Sequence, residues 1–320
     1  MTTRALVTGA NGFVAQWAIR AMLARGWAVT AASHGPPPAA AVLTPAETAA
    51  AAWHETDVTD QRAVRAAVDA ARADVILHLA AISHVPAAND DPGAAYDVNA
   101  VGAVRLLAEV RRQRQSGTAD PLVVVVGSAE QYGRHDPAAM PLREEAEQRP
   151  LTLYAASKVA QEAAALQAWR SDAVRVICTR SFSHSGLGHA PHFLLPSLVA
   201  RARQLPERGG VLTIGNGDTV RDFLHVEDVV DAYLALVERG QPGEAYNVSS
   251  GEGVSVQALA GRVLQRLGRT AEISSVAALA RPVDVPAQVG DNGKLRRATG
   301  WAPRRTRDDI IDDLIHAATH

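Results

Sequence analysis

Near the start of the chain, the stretch Ala5-Leu6-Val7-Thr8-Gly9-Ala10-Asn11-Gly12-Phe13-Val14-Ala15 leads from an apolar run through a glycine turn into a helical pattern. A strand, a glycine turn and a helix in this order open a nucleotide-binding βαβ unit. Gly9 is predicted to permit the tight turn, and Gly12 to let a pyrophosphate approach the backbone at the helix N-terminus. The turn therefore predicts cofactor contacts at Gly9, Asn11, Gly12, Phe13 and Val14.

Apolar strand patterns and helical patterns continue to alternate as far as residue 180. The strand patterns lie at residues 27–32, 53–57, 74–81, 122–126 and 174–180, and the helical patterns at 60–72, 92–115 and 151–169. This alternation predicts an α/β fold, a Rossmann-like doubly wound parallel sheet with a smaller C-terminal substrate domain. We place the dinucleotide-binding domain at 1–180 with 223–250 returning to it, and the substrate domain at 181–222 and 251–320. Residues 35–52 are Pro- and Ala-rich and predict a surface loop.

The ends of the predicted strands supply the other cofactor candidates, because ligands bind at the carboxyl edge of such a sheet. The second strand ends without the acid that usually holds the ribose hydroxyls of NAD. That leaves room for a 2′-phosphate beside Ser33 and His34, so NADP(H) is favoured over NAD(H). Further candidates follow the third and fourth strands: Asp57 and Val58 for the adenine, then Leu79, Ala80 and Ala81. His78 is interpreted as a core histidine that satisfies its own hydrogen bonds.

The stretch Tyr154-Ala155-Ala156-Ser157-Lys158 carries the predicted chemistry. The tyrosine and the lysine are four residues apart, so they share one helix face. A neighbouring ammonium favours the phenolate and lowers the pKa of a phenol, so the pair is predicted to exchange a proton with an alcohol or carbonyl oxygen. Only two of the 32 basic residues are lysines, Lys158 and Lys294. Asn99 interrupts the apolar stripe of the preceding helix and is predicted to be buried and hydrogen-bonded.

Composition narrows the function classes. The chain has 320 residues, 47% of them hydrophobic, and a formal net charge of −2, which gives no footprint for nucleic acid or an anionic membrane. Cys178 is the single cysteine, so no disulfide is expected, and with no targeting segment recognised we expect a cytoplasmic protein. His184, His189 and His192 lack an acidic or Cys partner at ligand spacing, so we predict no metal site and interpret this segment as a loop that covers the substrate.

Together, the glycine turn, Asp57-Val58, Ser128 at the end of the fifth strand and Tyr154/Lys158 resemble the extended short-chain dehydrogenase/reductase family, in its branch that acts on nucleotide sugars. The resemblance covers the whole chain. It implies that Ser128 holds the substrate oxygen, that Tyr154 transfers the proton, and that Lys158 tunes Tyr154 and binds the nicotinamide ribose. Asn99 matches the asparagine that steadies the lysine through a bound water.

The second half is similar to a narrower group that acts on GDP-mannose-derived sugars. The similarity lies in Asn216–Phe223, Tyr246-Asn247-Val248, Arg281–Pro286, Gly290-Asp291 and Thr299-Gly300-Trp301. It implies a GDP-linked substrate whose diphosphate is held by Arg221 and Arg281. Ser183 stands where the family usually has a sugar-contacting asparagine, and Ser83, just beyond the fourth strand, is a further substrate candidate.

The expected reaction is reduction of the C4 ketone of a GDP-4-keto-6-deoxyhexose by NAD(P)H, giving a GDP-6-deoxyhexose such as GDP-D-rhamnose. Three alternatives stay open. A GDP-mannose 4,6-dehydratase would use Glu130 as the base, another nucleotide-sugar epimerase or reductase would share the fold, and a scaffold protein on this fold would lack catalysis. Residues 92–115 and 151–169 carry apolar residues on more than one face, which predicts a homodimer formed through a four-helix bundle.

Overall fold

The structure is a computed structural model that describes residues 2–38, 42–279 and 285–317. Its strands are β1 (Arg4–Thr8), β2 (Ala28–Ser33), β3 (Ala52–Glu55), β4 (Val75–His78), β5 (Leu122–Ser128), β6 (Val176–Ser181), β7 (Ser183–Ser185), β8 (Arg208–Ile214), β9 (Val220–His225), β10 (Ala245–Val248), β11 (Gly253–Ser255), β12 (Thr270–Ser275) and β13 (Ala287–Gln288). Its helices are α1 (Phe13–Ala24), α2 (Pro45–Ala50), α3 (Gln61–Ala71), α4 (Val85–Asp90), α5 (Pro92–Tyr96), α6 (Gly102–Gln115), α7 (Leu153–Asp172), α8 (Leu194–Arg203), α9 (Val226–Arg239), α10 (Val256–Arg266), α11 (Gly293–Thr299) and α12 (Arg307–Ala317).

Seven strands form one parallel sheet in the order β10-β6-β5-β4-β1-β2-β3. All four residues of β4 are buried, as expected for a strand covered on both faces. Helices α1 and α9 cover one face and contribute to one apolar cluster, whereas α3, α6 and α7 cover the other face. The predicted doubly wound parallel sheet is confirmed.

The second half adds two smaller sheets and a separate apolar cluster. Strand β9 pairs with β7, β11 and β13, and β8 pairs with β12. Buried residues of α8, α10 and α12 form the cluster beside these strands. Helix α11, however, packs on α9 and β10, and its Leu295 belongs to the cluster of the large sheet. The division into two domains stays our proposal.

One local prediction was wrong, and one predicted helix is less regular than expected. Part of the predicted loop 35–52 forms helix α2, because Thr44 accepts from the Glu47 amide while the Glu47 carboxylate accepts from the Thr44 amide, a capping box. The predicted helix 92–115 is divided into α5, a π-helical turn at Asp97–Val101 and α6. Asn99 lies in that π-helical turn, where such irregularities often accompany functional sites.

The topology places the carboxyl ends of β1, β4, β5 and β6 side by side at one edge of the sheet. The glycine turn follows β1, and residues 128–132 follow β5 as a short 3₁₀ turn. Strand β7 continues from β6 into the smaller sheets, so the second half lies over this edge. Within the described ranges, no helix is long and apolar enough to cross a membrane.

Candidate active site

A cavity of about 1030 Å³ lies at this edge of the sheet. Both halves of the chain line it: the glycine turn and the ends of β4 and β5 on one side, residues of β7, β9 and α8 on the other. Its size suits a large ligand, since pockets for drug-sized molecules hold about 300–1000 Å³. The predicted site residues that line it are Gly9, Asn11, Gly12, Phe13, Val14, Leu79, Ala81, Ser83, Ser128, Glu130, Tyr154, Lys158, Ser183 and Arg221.

Gly9 and Gly12 are needed in the turn for different physical reasons. Gly9 has a φ of +65°, and a Cβ there would lie 2.8 Å from the backbone of Ala80, so it is required by the close approach of the β4 end. Gly12 has a φ of −73°, and a Cβ there would meet only the Gly9 carbonyl, at 3.0 Å. Gly12 therefore leaves open space at the start of α1, as an approaching ligand requires.

Tyr154 and Lys158 are held by the first two turns of α7. The helix begins after Thr152, whose side chain accepts from the Ala155 amide. Tyr154 is 9% exposed and packs against Ala88 and Ala95, and Lys158 is 3% exposed. The helix thus buries both groups while both still line the cavity.

The pKa of Tyr154 differs from its predicted direction. Burial raises it to about 12 and the charge of Glu130 adds to the rise, while a hydrogen bond with the Ser128 side chain lowers it. Lys158 does not contribute to the shift. The prediction that Lys158 lowers this pKa was therefore wrong for the protein alone, because low-polarity surroundings penalise the phenolate. The catalytic roles implied for Ser128 and Tyr154 stay predictions.

Lys158 is directed at the protein interior. Its Nζ donates to the Val126 carbonyl and to Gln161 Oε1, both at 2.8 Å. Burial lowers its pKa to about 7, so the amine is only partly protonated at neutral pH. Its charge, after burial, also helps lower the pKa of His78 to about 3, so His78 is neutral.

His78 is only half satisfied, contrary to prediction. Thr8 Oγ1 accepts from the Leu79 and Ala80 amides, so its own proton is directed at His78 Nδ1, 2.8 Å away. The ring proton then belongs on Nε2, which is buried and has no hydrogen-bond partner within the part of the chain that the structure describes. Gln161 Nε2 is likewise buried and has no hydrogen-bond partner among the described residues.

Asn99 is fully buried and hydrogen-bonded, as expected. Its side chain accepts from the Ile82 amide at 2.7 Å and donates to the Ile82 carbonyl at 3.1 Å and to Ser157 Oγ at 2.9 Å. These bonds tie the chain beyond β4 to the residue that precedes Lys158. The role implied for Asn99, steadying Lys158 through a water, stays a prediction.

The residues predicted for the adenosine half lie at the end of β2 and just beyond β3. Ser33 is buried, and its Oγ donates to the Gly35 carbonyl at 2.9 Å. Asp57 accepts from the amide and the hydroxyl of Thr59, at 2.8 and 2.7 Å. Val58 packs into the core beside Gly102. Their assignment to the cofactor stays a prediction.

On the substrate side, Arg221 extends from β9 and donates to the carbonyls of Val220 and Val285, at 2.8 and 2.7 Å. Ser183 on β7 is half-buried and lines the cavity, and Ser83 is exposed at its rim. Arg281, the second predicted diphosphate ligand, lies outside the described residues. The substrate roles of these side chains stay predictions.

A group of contacting aromatic and histidine rings lines part of the cavity. His189 stacks on Phe13 at 4.6 Å and on Phe193 at 4.3 Å, and His192 contacts His84 at 4.5 Å between ring centroids. Burial lowers the pKa of His189 to about 3, so it packs as a neutral ring. Across residues 2–38, 42–279 and 285–317, no group of three His, Cys, Asp or Glu side chains is arranged to hold a metal.

Sequence reasoning missed two buried residues behind the site, Gln131 and Glu162. The Ser128 amide donates to Gln131 Oε1, and Gln131 Nε2 donates to Glu162 Oε2, both at 2.8 Å. A signal existed for Gln131, because Ser-x-x-Gln after a strand is a capping-box pattern. For Glu162 no local signal exists beyond its position four residues after Lys158.

The residues present fit a nicotinamide dinucleotide. Helix α1 begins at the cavity with no side-chain cap and no acid in its first turn, which leaves its N-terminal amides and its dipole to an anion such as a pyrophosphate. Open space at Gly12 permits that approach, and Lys158 also lines the cavity. Gly9 to Val14 would hold the pyrophosphate, and Tyr154 and Lys158 would face the nicotinamide end.

Comparison with known proteins agrees with this geometry. Residues 5–249 match the model of the NAD dependent epimerase/dehydratase family. The chain is 30% identical to the GDP-6-deoxy-D-mannose reductase of Pseudomonas aeruginosa, covering 96% of this chain and 94% of that protein. It is 28% identical to the GDP-6-deoxy-D-talose 4-dehydrogenase of Aggregatibacter actinomycetemcomitans, covering 76% of this chain and 79% of that protein.

A solved structure extends the likeness to the whole fold. RMD from Pseudomonas aeruginosa, complexed with NADPH, superposes with a TM-score of 0.82 at 28% identity, covering 99% of this chain and 98% of that chain. The family match spans the glycine turn, the Ser128 turn and the Tyr154/Lys158 helix. The chain therefore belongs to the NAD dependent epimerase/dehydratase family, within the extended short-chain dehydrogenases/reductases, and is an NAD(P)-dependent enzyme of the nucleotide-sugar type.

Proposed function

We propose that this protein reduces the C4 ketone of a GDP-4-keto-6-deoxyhexose with NAD(P)H and so forms a GDP-6-deoxyhexose such as GDP-D-rhamnose. The observation that carries the proposal is that Ser128, Tyr154 and the buried Lys158 line one cavity of about 1030 Å³. The GDP-6-deoxy-D-mannose reductase likeness, over nearly the full length of both chains, supports the choice of sugar.

The residues suit an acid that protonates a developing alkoxide. Burial keeps the pKa of Tyr154 at about 12, so the phenol carries its proton at neutral pH and can donate it to the C4 oxygen. Ser128 is placed to hold the same oxygen through its hydroxyl. The bound cofactor supplies the hydride that reaches C4, while the protein holds the oxygen and delivers the proton.

A dehydratase is the second candidate, because Glu130 lines the cavity and its charge acts on Tyr154. A base at this place suits removal of the C5 proton, which a 4,6-dehydratase requires. A reductase breaks no C–H bond of the sugar with a base. The consequences of replacing Glu130 therefore separate the two reactions.

The test is incubation with GDP-mannose and, separately, with its 4-keto-6-deoxy derivative, each with NADPH or NADH, followed by product identification. We expect one reduced nicotinamide to be consumed for each keto sugar reduced, and Glu130→Gln to retain most of this activity. Conversion of GDP-mannose to the keto sugar without net NADPH loss, abolished by Glu130→Gln, would establish the dehydratase instead.

For the cofactor we propose a preference for NADP(H) over NAD(H). The support is the absence of an acid at the end of β2 and the NADPH in the solved RMD complex. Ser33→Asp should shift the preference towards NADH, because it places a carboxylate where the 2′-phosphate would lie. An unchanged ratio of NADPH to NADH activity would show that Ser33 is remote from the phosphate.

We also propose a homodimer formed through a four-helix bundle. Tyr96, Val101 and Val104 on the segment 92–115 are 37%, 41% and 48% exposed, and Leu151 and Leu153 at the start of α7 are 43% and 37% exposed. Helices α6 and α7 pack side by side, so a second copy related by a two-fold axis can cover both. Sedimentation should give the mass of a dimer, and Val104→Glu should shift it to a monomer; a wild-type monomer at micromolar concentration would contradict the proposal.

A further inference from the structure

We infer that Gln131 and Glu162 are positioning residues that set Ser128 against Tyr154; this inference rests on the proposed reductase function. Ser128 and Tyr154 lie on different elements, the turn after β5 and the first turn of α7. Their relative placement must therefore be fixed by something that bridges the two elements. Gln131 reaches Ser128, and Glu162 lies on α7 one turn beyond Lys158.

The Gln131 amide is oriented by its two partners. Its Nε2 donates to the Glu162 carboxylate at 2.8 Å, which leaves Oε1 to accept the Ser128 amide proton at 2.8 Å. A carboxylate only accepts, so the reverse orientation of the amide would lose the bond to Glu162. Glycine at position 127 leaves the space that the Gln131 side chain occupies, because a Cβ there would collide with Gln131 Oε1.

Glu162 is itself held in place. Arg180 on β6 donates to both of its oxygens, at 3.0 and 2.6 Å, and Gln148 donates to Oε1 at 2.6 Å. Burial raises the pKa of Glu162, but the hydrogen bonds and charge of Arg180 outweigh it and the net shift is downward. The carboxylate therefore stays ionised at neutral pH and is a fixed acceptor for Gln131.

The bridge ends on the backbone amide of Ser128, the residue that carries the proposed oxygen-holding hydroxyl. Ser128 Oγ accepts from the Glu130 amide at 3.2 Å, and Ser128 lines the same cavity as Tyr154. Fixing the Ser128 amide through Gln131 thus fixes the peptide from which that hydroxyl extends. The bridge thus fixes the position of Ser128 relative to α7, the helix that carries the proposed proton donor Tyr154.

Gln131→Met tests the inference, because it keeps the side-chain length and removes both hydrogen bonds. Gln148→Met is the matched control: it also removes one bond to Glu162, but Gln148 has no bond to Ser128, only a marginal 3.5 Å contact with Gln131. With the keto sugar and NADPH, Gln131→Met should lower kcat about tenfold with KM little changed, since a small misplacement of a catalytic group has effects of this order. Gln148→Met should stay close to the wild type.

A double-mutant cycle separates positioning from general destabilisation. If Gln131 acts through Ser128, then Gln131→Met should add no further loss of kcat in a Ser128→Ala background. The same tenfold loss in both backgrounds, or equal losses for Gln131→Met and Gln148→Met, would overturn the inference.

Hydrogen exchange gives a readout that needs no substrate. The peptide that spans residues 127–133 should lose protection at the Ser128 amide in Gln131→Met and keep it in Gln148→Met. Equal protection in both variants would overturn the bridge even if the enzyme is active. A wild type that reduces no keto sugar but shows this exchange pattern would refute the proposed function and leave the bridge standing.

Discussion

Two polar environments lie one turn apart on α7 and differ in how well their hydrogen bonds are satisfied. Around Lys158, the buried atoms His78 Nε2 and Gln161 Nε2 have no hydrogen-bond partner among the described residues, and burial lowers the lysine pKa to about 7. Around Glu162, the carboxylate accepts from Arg180, Gln131 and Gln148. On this one helix, the buried Lys158 amine lowers the stability of the fold, whereas the Glu162 carboxylate is held rigidly by its hydrogen bonds. We call Glu162 and its partners Arg180, Gln131 and Gln148 the brace.

The largest effect should come from breaking the brace. Arg180→Met would leave the Glu162 carboxylate buried without its cation, so we expect unfolding free energy to fall by about 3–5 kcal/mol. Urea unfolding at pH 7.5 measures this. Asp74→Asn is the control, since Arg4 and Asp74 are each 47% exposed and a surface pair contributes about 1 kcal/mol at most. If Arg180→Met and Asp74→Asn lose equal unfolding free energy, the hydrogen bonds around Glu162 do not stabilise the fold more than a surface ion pair does.

The next effect concerns the reacting pair. Tyr154→Phe keeps the ring packing but removes the transferable proton, so kcat should fall by about 10² or more, about 2.7 kcal/mol in activation free energy. Nucleotide-sugar binding, measured by calorimetry, should change little. Tyr96→Phe, at an exposed tyrosine, is the control and should match the wild type. Near-normal turnover of Tyr154→Phe would remove Tyr154 from the role of proton donor.

The smallest expected effect is on the pH dependence of the unfolding free energy, which tests whether burying Lys158 destabilises the fold. Because its folded pKa, about 7, lies below the ordinary lysine value of 10.5, the unfolded chain binds more protons between these pH values. Wild-type stability should therefore rise relative to Lys158→Met as pH rises from 7 towards 10. One pKa unit corresponds to about 1.4 kcal/mol, so the difference between the two proteins should change by at least that amount.

Urea unfolding of both proteins at pH 7.0, 8.5 and 9.5 gives this slope. Lys294→Met, which removes the other lysine of the chain, is measured alongside for comparison. If the difference in unfolding free energy between wild type and Lys158→Met does not change with pH, the pKa of Lys158 is not lowered by burial. The contrast with Glu162 would then fail.

Local patterns in the sequence were enough for the parallel sheet, the glycine turn and the helix that carries Tyr154 and Lys158. Such features depend on neighbours within a few residues: an apolar run for a buried strand, a glycine where the chain turns, a cap and i, i+4 spacing for a helix face. The same reasoning overlooked the capping box Thr44–Glu47, although its signal was present, because a Pro- and Ala-rich composition was given more weight.

Tertiary structure alone decided the electrostatics and the bracing of the site. The sequence placed a lysine beside Tyr154, but the fold directs Lys158 to Val126 and Gln161 and raises the tyrosine pKa through burial. The link from Ser128 to Glu162 runs through Gln131, which is 31 residues away from Glu162 along the chain. Burial and such contacts depend on atoms that only folding brings together, and no spacing within a local stretch encodes them.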